Sequence, residues 1–358
     1  MNNNRLMCLK DILNKQNLDC LLISDPSSIA YLVEKVIHPG ERMLVLAVYA
    51  KKDPVFFLNR LFNVPEEFGF EKVWYDDTQN TTEILKPYLM DCSNVGVDKN
   101  LPCRFFIPLM DALKHIKFSV GSFAIDSLRM VKDEQEIQLM KKASEINDAC
   151  MEEMFQSLKA GVTENEMRDL LKVFYRKKNA SGFSFDPIVG YGPNGADGHH
   201  ECDNTPLKKG DSIVVDMGCV YQGYCSDMTR TFFYQEVSKK QQEVYNLVLE
   251  ANLAAQAIIK PGVRLCDIDK ACRDVIEKAG YGKYFTHRTG HFIGREVHEY
   301  GDVSSSFEME VEEGMIFSIE PGIYLEGEFG VRIEDLVLVT KDGCISLNNY
   351  PKDLKVIV

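Results

Sequence analysis

An internal repeat constrains the fold of this sequence more than any other feature. Residues 160–180 and 261–281 share a Gly-Val start and a helical apolar pattern, with matching positions 101 residues apart. Each copy follows a stretch that reads as a long helix, 132–160 or 238–260, and precedes a glycine-rich stretch of β character. Repeated stretches fold as similar units. We therefore expect two related halves that face each other across one site.

The first third of the chain lies outside the repeat and has a different pattern. Short apolar runs alternate with turn residues, for example at 18–24, 42–48 and 55–58, which is typical of a mixed α/β domain. A chain of 358 residues usually forms more than one hydrophobic core. The sequence therefore predicts two domains of α/β (α+β) class, residues 1–125 and 126–358.

Composition excludes several classes of protein. The chain has 54 acidic and 41 basic residues and a net charge of −13, which disfavours nucleic acid as a partner. Its eleven cysteines form no C-x-x-C pair, so reduced thiols are expected and zinc fingers are not. No apolar run reaches the roughly 18–20 residues of a membrane helix, and the start lacks a signal-peptide pattern. We expect no membrane partner and a cytoplasmic location.

Two acidic residues face each other in a predicted hairpin over residues 212–234. Folding this hairpin about Tyr221-Gln222 places Asp216 opposite Asp227. Like charges at directly opposed positions, about 4.5–5.5 Å apart at Cβ, destabilise a sheet. The pair therefore needs a cation or a proton, unless one carboxylate faces solvent.

A second predicted hairpin, over residues 315–339, sets Glu320 against Glu334. These glutamates follow Asp216 and Asp227 by 104 and 107 residues, close to the offset of the repeat, so each half contributes one acidic pair. Four buried carboxylates cannot all ionise without a divalent metal. Oxygen ligands favour Mn²⁺, Mg²⁺ or Ca²⁺, and an added imidazole shifts the preference towards Mn²⁺, Fe²⁺, Co²⁺ or Zn²⁺.

Histidines are concentrated in the same part of the chain. A lone buried histidine is more often structural than a ligand, but a cluster beside carboxylates indicates a metal or catalytic site. The segment 287–299 is rich in glycine, so its backbone can approach a ligand closely. Five of the seven histidines fall within one hundred residues: His199, His200, His287, His291 and His298.

Five motifs in one order resemble the pita-bread metallopeptidases, the group of methionine aminopeptidase, aminopeptidase P and prolidase. They lie within 190–337 and read GPNGADGHH, VVDMG followed by SDMTRTF, TGHFIGREVHE, SIEPGIY and VRIEDLV. The N-terminal domain is similar to that of the Xaa-Pro branch, and HPGERM at 38–43 resembles the short bacterial prolidases. The resemblance implies a creatinase-like α/β domain followed by a pseudo-twofold pita-bread catalytic domain.

The resemblance also implies a metal site. Two divalent ions would be held there, most often Mn²⁺, with Co²⁺ or Zn²⁺ as alternatives, and Asp227 and Glu334 would bridge them. The implied metal ligands are Asp216, Asp227, His291, Glu320 and Glu334.

Catalytic and substrate-binding residues follow from the same resemblance. Glu320 would carry the proton, and His199 and His298 would line the substrate side. His199 is twelve residues before Asp211, as the family pattern requires, while its neighbour His200 stays an alternative. The residues expected to bind substrate are His287, Arg295, Arg332, His38 and Arg42.

Arg295 is the first candidate to bind the free carboxylate of a dipeptide, because it replaces an apolar family residue, and Arg332 and Arg42 are the reserves. The resemblance further implies a homodimer, in which the loop from His38 to Arg42 lies near the other subunit's site. The expected enzyme is a dinuclear hydrolase that cleaves Xaa-Pro dipeptides by attack of a hydroxide shared between two metal ions. The alternatives are an Xaa-Pro aminopeptidase that acts on longer peptides, a methionine aminopeptidase and a non-catalytic binding protein.

Overall fold

The computed structural model describes residues 2–64 and 69–358, and the chain forms two compact units, Met1–Arg129 and Met130–Val358. The boundary predicted at residue 125 falls inside a helix, Phe123–Met130. The division into domains 1–125 and 126–358 therefore stays a prediction.

The first unit is a sheet with helices, as the alternating apolar runs predict. The elements are α1 Asn3–Lys15, β1 Cys20–Ile23, α2 Pro26–Val33, β2 Val45–Tyr49, β3 Val55–Asn59, β4 Glu71–Tyr75, α3 Thr81–Leu89, β5 Asn94–Val97, α4 Cys103–Ala112, β6 Lys117–Val120 and α5 Phe123–Met130. The six strands have the order β4-β3-β2-β1-β5-β6, with β1 antiparallel to β2 and parallel to β5. Successive residues of β1 enter different apolar clusters, Leu21 on one side and Leu22 on the other, so both faces of the sheet are buried.

The second unit contains two helix pairs, each followed by short strands. The first half has α6 Glu134–Ser157, α7 Glu164–Lys177, β7 Gly182–Phe183, β8 Ile188–Tyr191, β9 Ser212–Met217, β10 Cys219–Tyr221, β11 Tyr224–Cys225 and β12 Met228–Tyr234. The second half has α8 Lys239–Ile258, α9 Leu265–Lys278, β13 Gly290–His291, β14 Asp302–Val303, β15 Ile316–Ile319, β16 Gly322–Leu325, β17 Phe329–Arg332, β18 Asp335–Val339, β19 Cys344–Ser346 and β20 Val356–Ile357.

The helix pairs agree with the predicted repeat. The long helices expected over 132–160 and 238–260 are α6 and α8, and both begin at a capping box, with Asp133 or Ser238 as the N-cap. The repeated segments themselves form α7 and α9. One large apolar cluster packs around α6 and α7 and another around α8 and α9, so each half has its own core.

The register predicted for the first hairpin is wrong by two residues. Strand β12 pairs with β9 so that Thr229, not Asp227, lies opposite Asp216. The turn is centred on Gln222 and Gly223, which have φ values of +47° and +83°. Two-residue hairpin turns favour residues that tolerate positive φ, so the turn moves one residue along the chain from the predicted Tyr221-Gln222.

The register predicted for the second hairpin is confirmed on both sides of the glutamates. Ile319 pairs with Asp335, and Gly322 pairs with Arg332. Glu320 and Glu334 occupy the gap between these two ladders. Pro321 has no N–H to donate to a ladder, so the strands separate here and the two carboxylates can turn towards one cavity.

No helix among the described residues is long and apolar enough to cross a lipid bilayer.

Candidate active site

A cavity of about 1360 Å³ lies in the second unit, and the acidic residues of both hairpins line it. Asp216 lies near the end of β9 and Asp227 immediately precedes β12. Glu320 follows β15 and Glu334 precedes β18. The antiparallel hairpins of the two halves thus bring four carboxylates together, although their positions in the sequence span more than one hundred residues.

His291 completes this group from strand β13. Its Nε2 atom lies 3.6 Å from Oδ2 of Asp227 and 3.4 Å from Oε1 of Glu320. Its Nδ1–H group donates to the carbonyl oxygen of Phe292 at 3.2 Å, which leaves the lone pair of Nε2 available. Burial lowers the pKa of His291 to about 3, so the ring is neutral and suited to bind a metal.

Three carboxylates each present one buried oxygen that lacks a hydrogen-bond partner. These atoms are Oδ1 of Asp216, Oδ1 of Asp227 and Oε1 of Glu334. Buried polar atoms are nearly always paired, so this cluster indicates a missing partner. A group of three possible ligand atoms from Asp227, His291 and Glu334 lies within 4.8 Å of one another. The oxygen-rich set with one imidazole fits a divalent cation.

The raised pKa values of the carboxyl groups also indicate a cation-binding site. Burial and the neighbouring carboxylate of Glu334 raise the pKa of Asp227 well above its usual range. Burial and the carboxylate of Glu320 do the same for the pKa of Glu334. Burial raises the pKa of Glu320 to about 7. Burial is the largest cause of each shift and neighbouring carboxylates add to it, so a divalent cation in the cavity would stabilise the ionised forms.

Arg332 and Tyr324 link the carboxylates to a further histidine. Arg332 donates from Nη2 to Oδ2 of Asp216 at 2.7 Å and from Nη1 to the hydroxyl oxygen of Tyr324 at 2.8 Å. The Tyr324 hydroxyl in turn lies 2.8 Å from Nε2 of His287. Burial lowers the pKa of His287 to about 4, so its neutral ring accepts this hydrogen bond. These residues form one buried network beside the metal-binding group.

The other predicted histidines also line the cavity. The rings of His298 and His291 lie 4.3 Å apart between centroids. Burial and the charge of Arg288 lower the pKa of His298. His199 and His200 both line the same cavity, and the Nε2 atom of His200 is bound to Oε2 of Glu164 at 2.6 Å.

Three predicted substrate-binding residues do not reach this cavity. Among the described residues, Arg295 is absent from the lining, and its guanidinium lies over the ring of Tyr224 at 5.1 Å from the centroid. His38 and Arg42 belong to the first unit, where Arg42 donates from Nη2 to Oδ2 of Asp77 at 2.8 Å. Arg332 and His287 are the substrate-binding candidates that do line the cavity.

Sequence reasoning missed four residues that contact the site. Thr229 donates from its hydroxyl to Oε2 of Glu334 at 2.7 Å, and Tyr324 binds His287 and Arg332. Both residues belong to the family motifs, in which the sequence analysis identifies only the carboxylates as site residues. Arg288 also lines the cavity and directly follows a predicted histidine. Glu164 gave no signal, because its partner His200 is 36 residues away.

The raised carboxyl pKa values predict how pH affects the metal-free protein. A carboxyl group whose pKa is higher in the folded than in the unfolded protein stabilises the fold below the unfolded pKa and loses that effect as pH rises. For Glu320 the window runs from the usual value of 4.5 through about 7. We expect the free energy of unfolding of chelator-treated protein to fall between pH 5 and pH 7, by up to about 1.4 kcal/mol per pH unit for one such group, and Tm to fall with it.

Glu320→Gln is the control for this measurement, because it removes one of the titrating groups and should reduce the slope of Tm against pH. Saturating metal should flatten the dependence in the unmodified protein. A metal-free Tm that is constant over this range would contradict the assignment of these shifts.

Two known protein families match this chain. The profile described as Metallopeptidase family M24 matches residues 138–341. The profile described as Creatinase/Prolidase N-terminal domain matches residues 5–131. The first covers the second unit and its cavity, and the second covers the first unit.

Individual relatives match over nearly the whole chain. A Bacillus subtilis protein named "Putative dipeptidase YkvY" is 35% identical over 363 residues, which is 99% of this chain and 100% of that protein. The prolidase from Thermococcus sibiricus is 32% identical with a TM-score of 0.93 and covers 100% of this chain and 99% of its own. The X-Pro aminopeptidase from Thermotoga maritima is 32% identical with a TM-score of 0.82 and covers 95% and 98%.

These matches confirm the resemblance that the five motifs indicated, and with it the arrangement of a creatinase-like domain before a pita-bread domain. The protein is an enzyme, and it belongs to metallopeptidase family M24.

Proposed function

We propose that this enzyme is an Xaa-Pro dipeptidase, a prolidase, that works with two divalent metal ions. The observation that carries the proposal is the convergence of three unpartnered carboxylate oxygens, from Asp216, Asp227 and Glu334, on one cavity beside the neutral ring of His291. The similarity to proteins named as a dipeptidase and a prolidase supports the substrate class.

The metal ligands we propose are the five residues expected from the motifs: Asp216, Asp227, His291, Glu320 and Glu334. The resemblance implies that Asp227 and Glu334 would be shared between the two ions, and they are also the two most deeply buried of the four carboxylates. Mn²⁺ is the proposed metal, with Co²⁺ or Zn²⁺ as alternatives, since a set of four carboxylates and one imidazole suits all three. When bound, the ions polarise the scissile carbonyl and make water acidic enough to act as a nucleophile near neutral pH.

Glu320 is the proposed proton carrier. Its carboxylate lines the cavity with Oε1 at 3.4 Å from Nε2 of His291, a position from which it would take a proton from water and return it to the leaving nitrogen of proline. The Ser318 hydroxyl donates to Oε1 of Glu320 at 3.0 Å and fixes the orientation of the carboxylate.

His199 and His298 are the proposed donors to the substrate. Both line the cavity, and a hydrogen bond from either ring would stabilise negative charge that develops on the carbonyl oxygen. The neutral His287 ring, held by the Tyr324 hydroxyl, forms part of the same wall. We propose that it positions the substrate and does not transfer a proton.

A carboxylate on the proline of a dipeptide requires a cation in the cavity. The cations among its lining residues are Arg168, Lys283, Arg288 and Arg332. Arg332 already binds Asp216 and Tyr324. Arg288 is paired with Asp302, which is not a proposed metal ligand, and 36% of its side-chain surface is exposed, whereas the Arg332 side chain is buried. Its charge also acts on His298 and His291. We therefore propose Arg288 as the carboxylate-binding residue and compare it with Arg295, the residue proposed from the sequence.

An Xaa-Pro aminopeptidase is the second candidate function. The chain is also similar to a protein named as an X-Pro aminopeptidase, and the cavity volume of about 1360 Å³ exceeds the roughly 300–1000 Å³ of ordinary ligand pockets. A longer peptide could therefore fit. The homodimer, and with it a role for His38 and Arg42 at a neighbouring site, stays a prediction.

The direct test of the proposed function compares three substrates. Purified protein with Mn²⁺ should cleave Ala-Pro faster than Ala-Pro-Ala, and Met-Ala-Ser least. The comparison uses kcat/KM, because that ratio measures discrimination between competing substrates. Faster cleavage of Ala-Pro-Ala would make the enzyme an aminopeptidase, and a preference for Met-Ala-Ser would make it a methionine aminopeptidase.

Asp227→Asn and Glu334→Gln test the bridging ligands. Each replaces a carboxylate that would contact both ions, so we expect loss of bound metal and nearly all turnover. Metal content is measured by elemental analysis after gel filtration. Asp186→Asn is a matched control, since Asp186 lines the same cavity but is not one of the proposed ligands. Retention of two ions and normal rates in either variant would show that the substituted carboxylate is not a bridging ligand.

Glu320→Gln separates proton transfer from metal binding. The amide oxygen can still coordinate, but the side chain cannot carry a proton near neutral pH. We expect a kcat loss of about 10²–10⁴-fold with metal partly retained. An unchanged kcat would remove Glu320 from the proposed mechanism.

Arg288→Ala and Arg295→Ala together identify the carboxylate-binding residue. A charged hydrogen bond to the substrate contributes about 1.5–3 kcal/mol, so its loss should raise KM for Ala-Pro by about 10- to 150-fold. Ala-Pro-amide has no carboxylate and should be hardly affected. We expect this pattern for Arg288→Ala alone. If Arg295→Ala shows it instead, the sequence-based assignment is right.

A further inference from the structure

Two adjacent histidines in the cavity have different surroundings. His200 donates from Nε2 to Oε2 of Glu164 at 2.6 Å, and the Glu164 side chain is completely buried. No hydrogen bond to the His199 ring is found within residues 2–64 and 69–358, although its backbone N–H donates to Oδ1 of Asp197 at 2.9 Å. One ring is therefore fixed to the protein, and the other is available to a substrate.

Glu164 binds the whole segment that carries these histidines. Its Oε1 accepts from the backbone N–H of Tyr191 at 2.9 Å and from Nδ2 of Asn194 at 3.0 Å. Its Oε2 accepts from His200 and from the backbone N–H of Asp203 at 3.1 Å. The four donors fill the acceptor positions of one carboxylate. They also span both ends of residues 191–203, so one side chain holds the segment on either side of His199.

The element that carries Glu164 is rigid. Glu164 is the first residue of α7, which begins at a capping box between Thr163 and Glu166. Met167 and Leu171 of the same helix are fully buried in an apolar cluster of the first half. Because the helix is fixed by capping and packing, its first side chain can serve as a fixed reference point for the segment.

A metal ion is a weaker explanation for this cluster. Possible ligand atoms of Glu164, His200 and Asp203 lie within 4.8 Å of one another. However, both oxygens of Glu164 already accept two hydrogen bonds each, and none of the three side chains has a buried atom without a partner. The unpartnered oxygens that mark the carboxylate group of Asp216, Asp227 and Glu334 are missing here.

We infer that Glu164 and His200 are positioning residues that hold His199 in place for the substrate. The inference rests on the proposed function for the role of His199. Glu164 supplies a buried carboxylate, His200 connects it to the residue next to His199, and the His199 ring stays unbound until substrate enters. A shift of about 1 Å in such a group can reduce turnover by about 10²-fold.

A double-mutant cycle tests whether the pair acts through His199. His200→Ala should lower kcat by about ten- to a hundredfold, with KM changed by less than about threefold. In a His199→Ala background the same substitution should lower kcat by less than about threefold, since the positioned ring is already gone. Equal losses in both backgrounds would overturn the inference, and so would an unchanged kcat for His200→Ala.

Conservative variants exclude a general loss of structure. His200→Gln keeps an N–H donor near the position of Nε2, so it should recover part of the kcat lost in His200→Ala. Glu166→Gln is the matched control on the same helix, because in the described part of the chain the Glu166 carboxylate accepts hydrogen bonds only from Thr163, and glutamine keeps the capping box. It should lower Tm slightly and leave kcat unchanged. No recovery in His200→Gln would overturn the inference.

Hydrogen exchange tests the contact without any turnover. Glu164→Gln places an amide against the donors of Asp203 or Tyr191, so backbone amides of residues 191–203 should exchange faster, by at least about tenfold. Glu166→Gln should leave them unchanged. If neither variant changes exchange, the contact does not hold the segment, whichever peptides the enzyme cleaves. If exchange changes but no Xaa-Pro substrate is cleaved, the positioning of the segment stands and the proposed function fails.

Discussion

Repulsion between buried carboxylates is the constraint on which the rest of this site depends. The two halves of the second unit bring four acids to one cavity, and burial raises the pKa of Asp227, Glu334 and Glu320. A fold that only needed stability would not place them together, because each added charge costs free energy. A bound divalent cation attracts each carboxylate, so the net electrostatic interaction in the cavity becomes favourable. The same arrangement then becomes a binding site, which explains why family membership and site geometry agree.

The protein supplies each carboxylate with a limited number of partners. Arg332 binds one oxygen of Asp216, and Thr229 binds one oxygen of Glu334. In both groups the second oxygen is buried and unpaired. One partner is enough to fix the orientation of a side chain, as outer residues do around metal ligands. A second partner would occupy the lone pairs that a cation needs. These partners therefore orient the acids and leave one buried oxygen of each available to a cation.

The sequence predicted the halves and the acids better than their contacts. Repeat spacing and hairpin patterns led to the four carboxylates, because strand register follows from local turn chemistry. Even there the predicted partner of Asp216 is wrong. A turn at Tyr221-Gln222 places Asp216 opposite Asp227, whereas the observed turn at Gln222-Gly223 places it opposite Thr229. The motif position of Arg295 predicts a substrate-binding residue, but its side chain packs against the ring of Tyr224. A side chain's direction depends on packing by residues distant in sequence, and no local pattern contains that information.

The internal repeat positions histidine-bearing segments as well as carboxylates. In the first half, Glu164 at the start of α7 holds the segment of His199. In the second half, α9 holds the segment of His287, where Arg273 donates to the carbonyl oxygen of His287 at 2.6 Å and Thr289 donates to Oδ1 of Asp269 at 2.7 Å. The residues differ, yet the second helix of each pair fixes a histidine-bearing segment in both halves. Because helices are rigid and loops are not, this arrangement gives flexible segments fixed positions around the cavity.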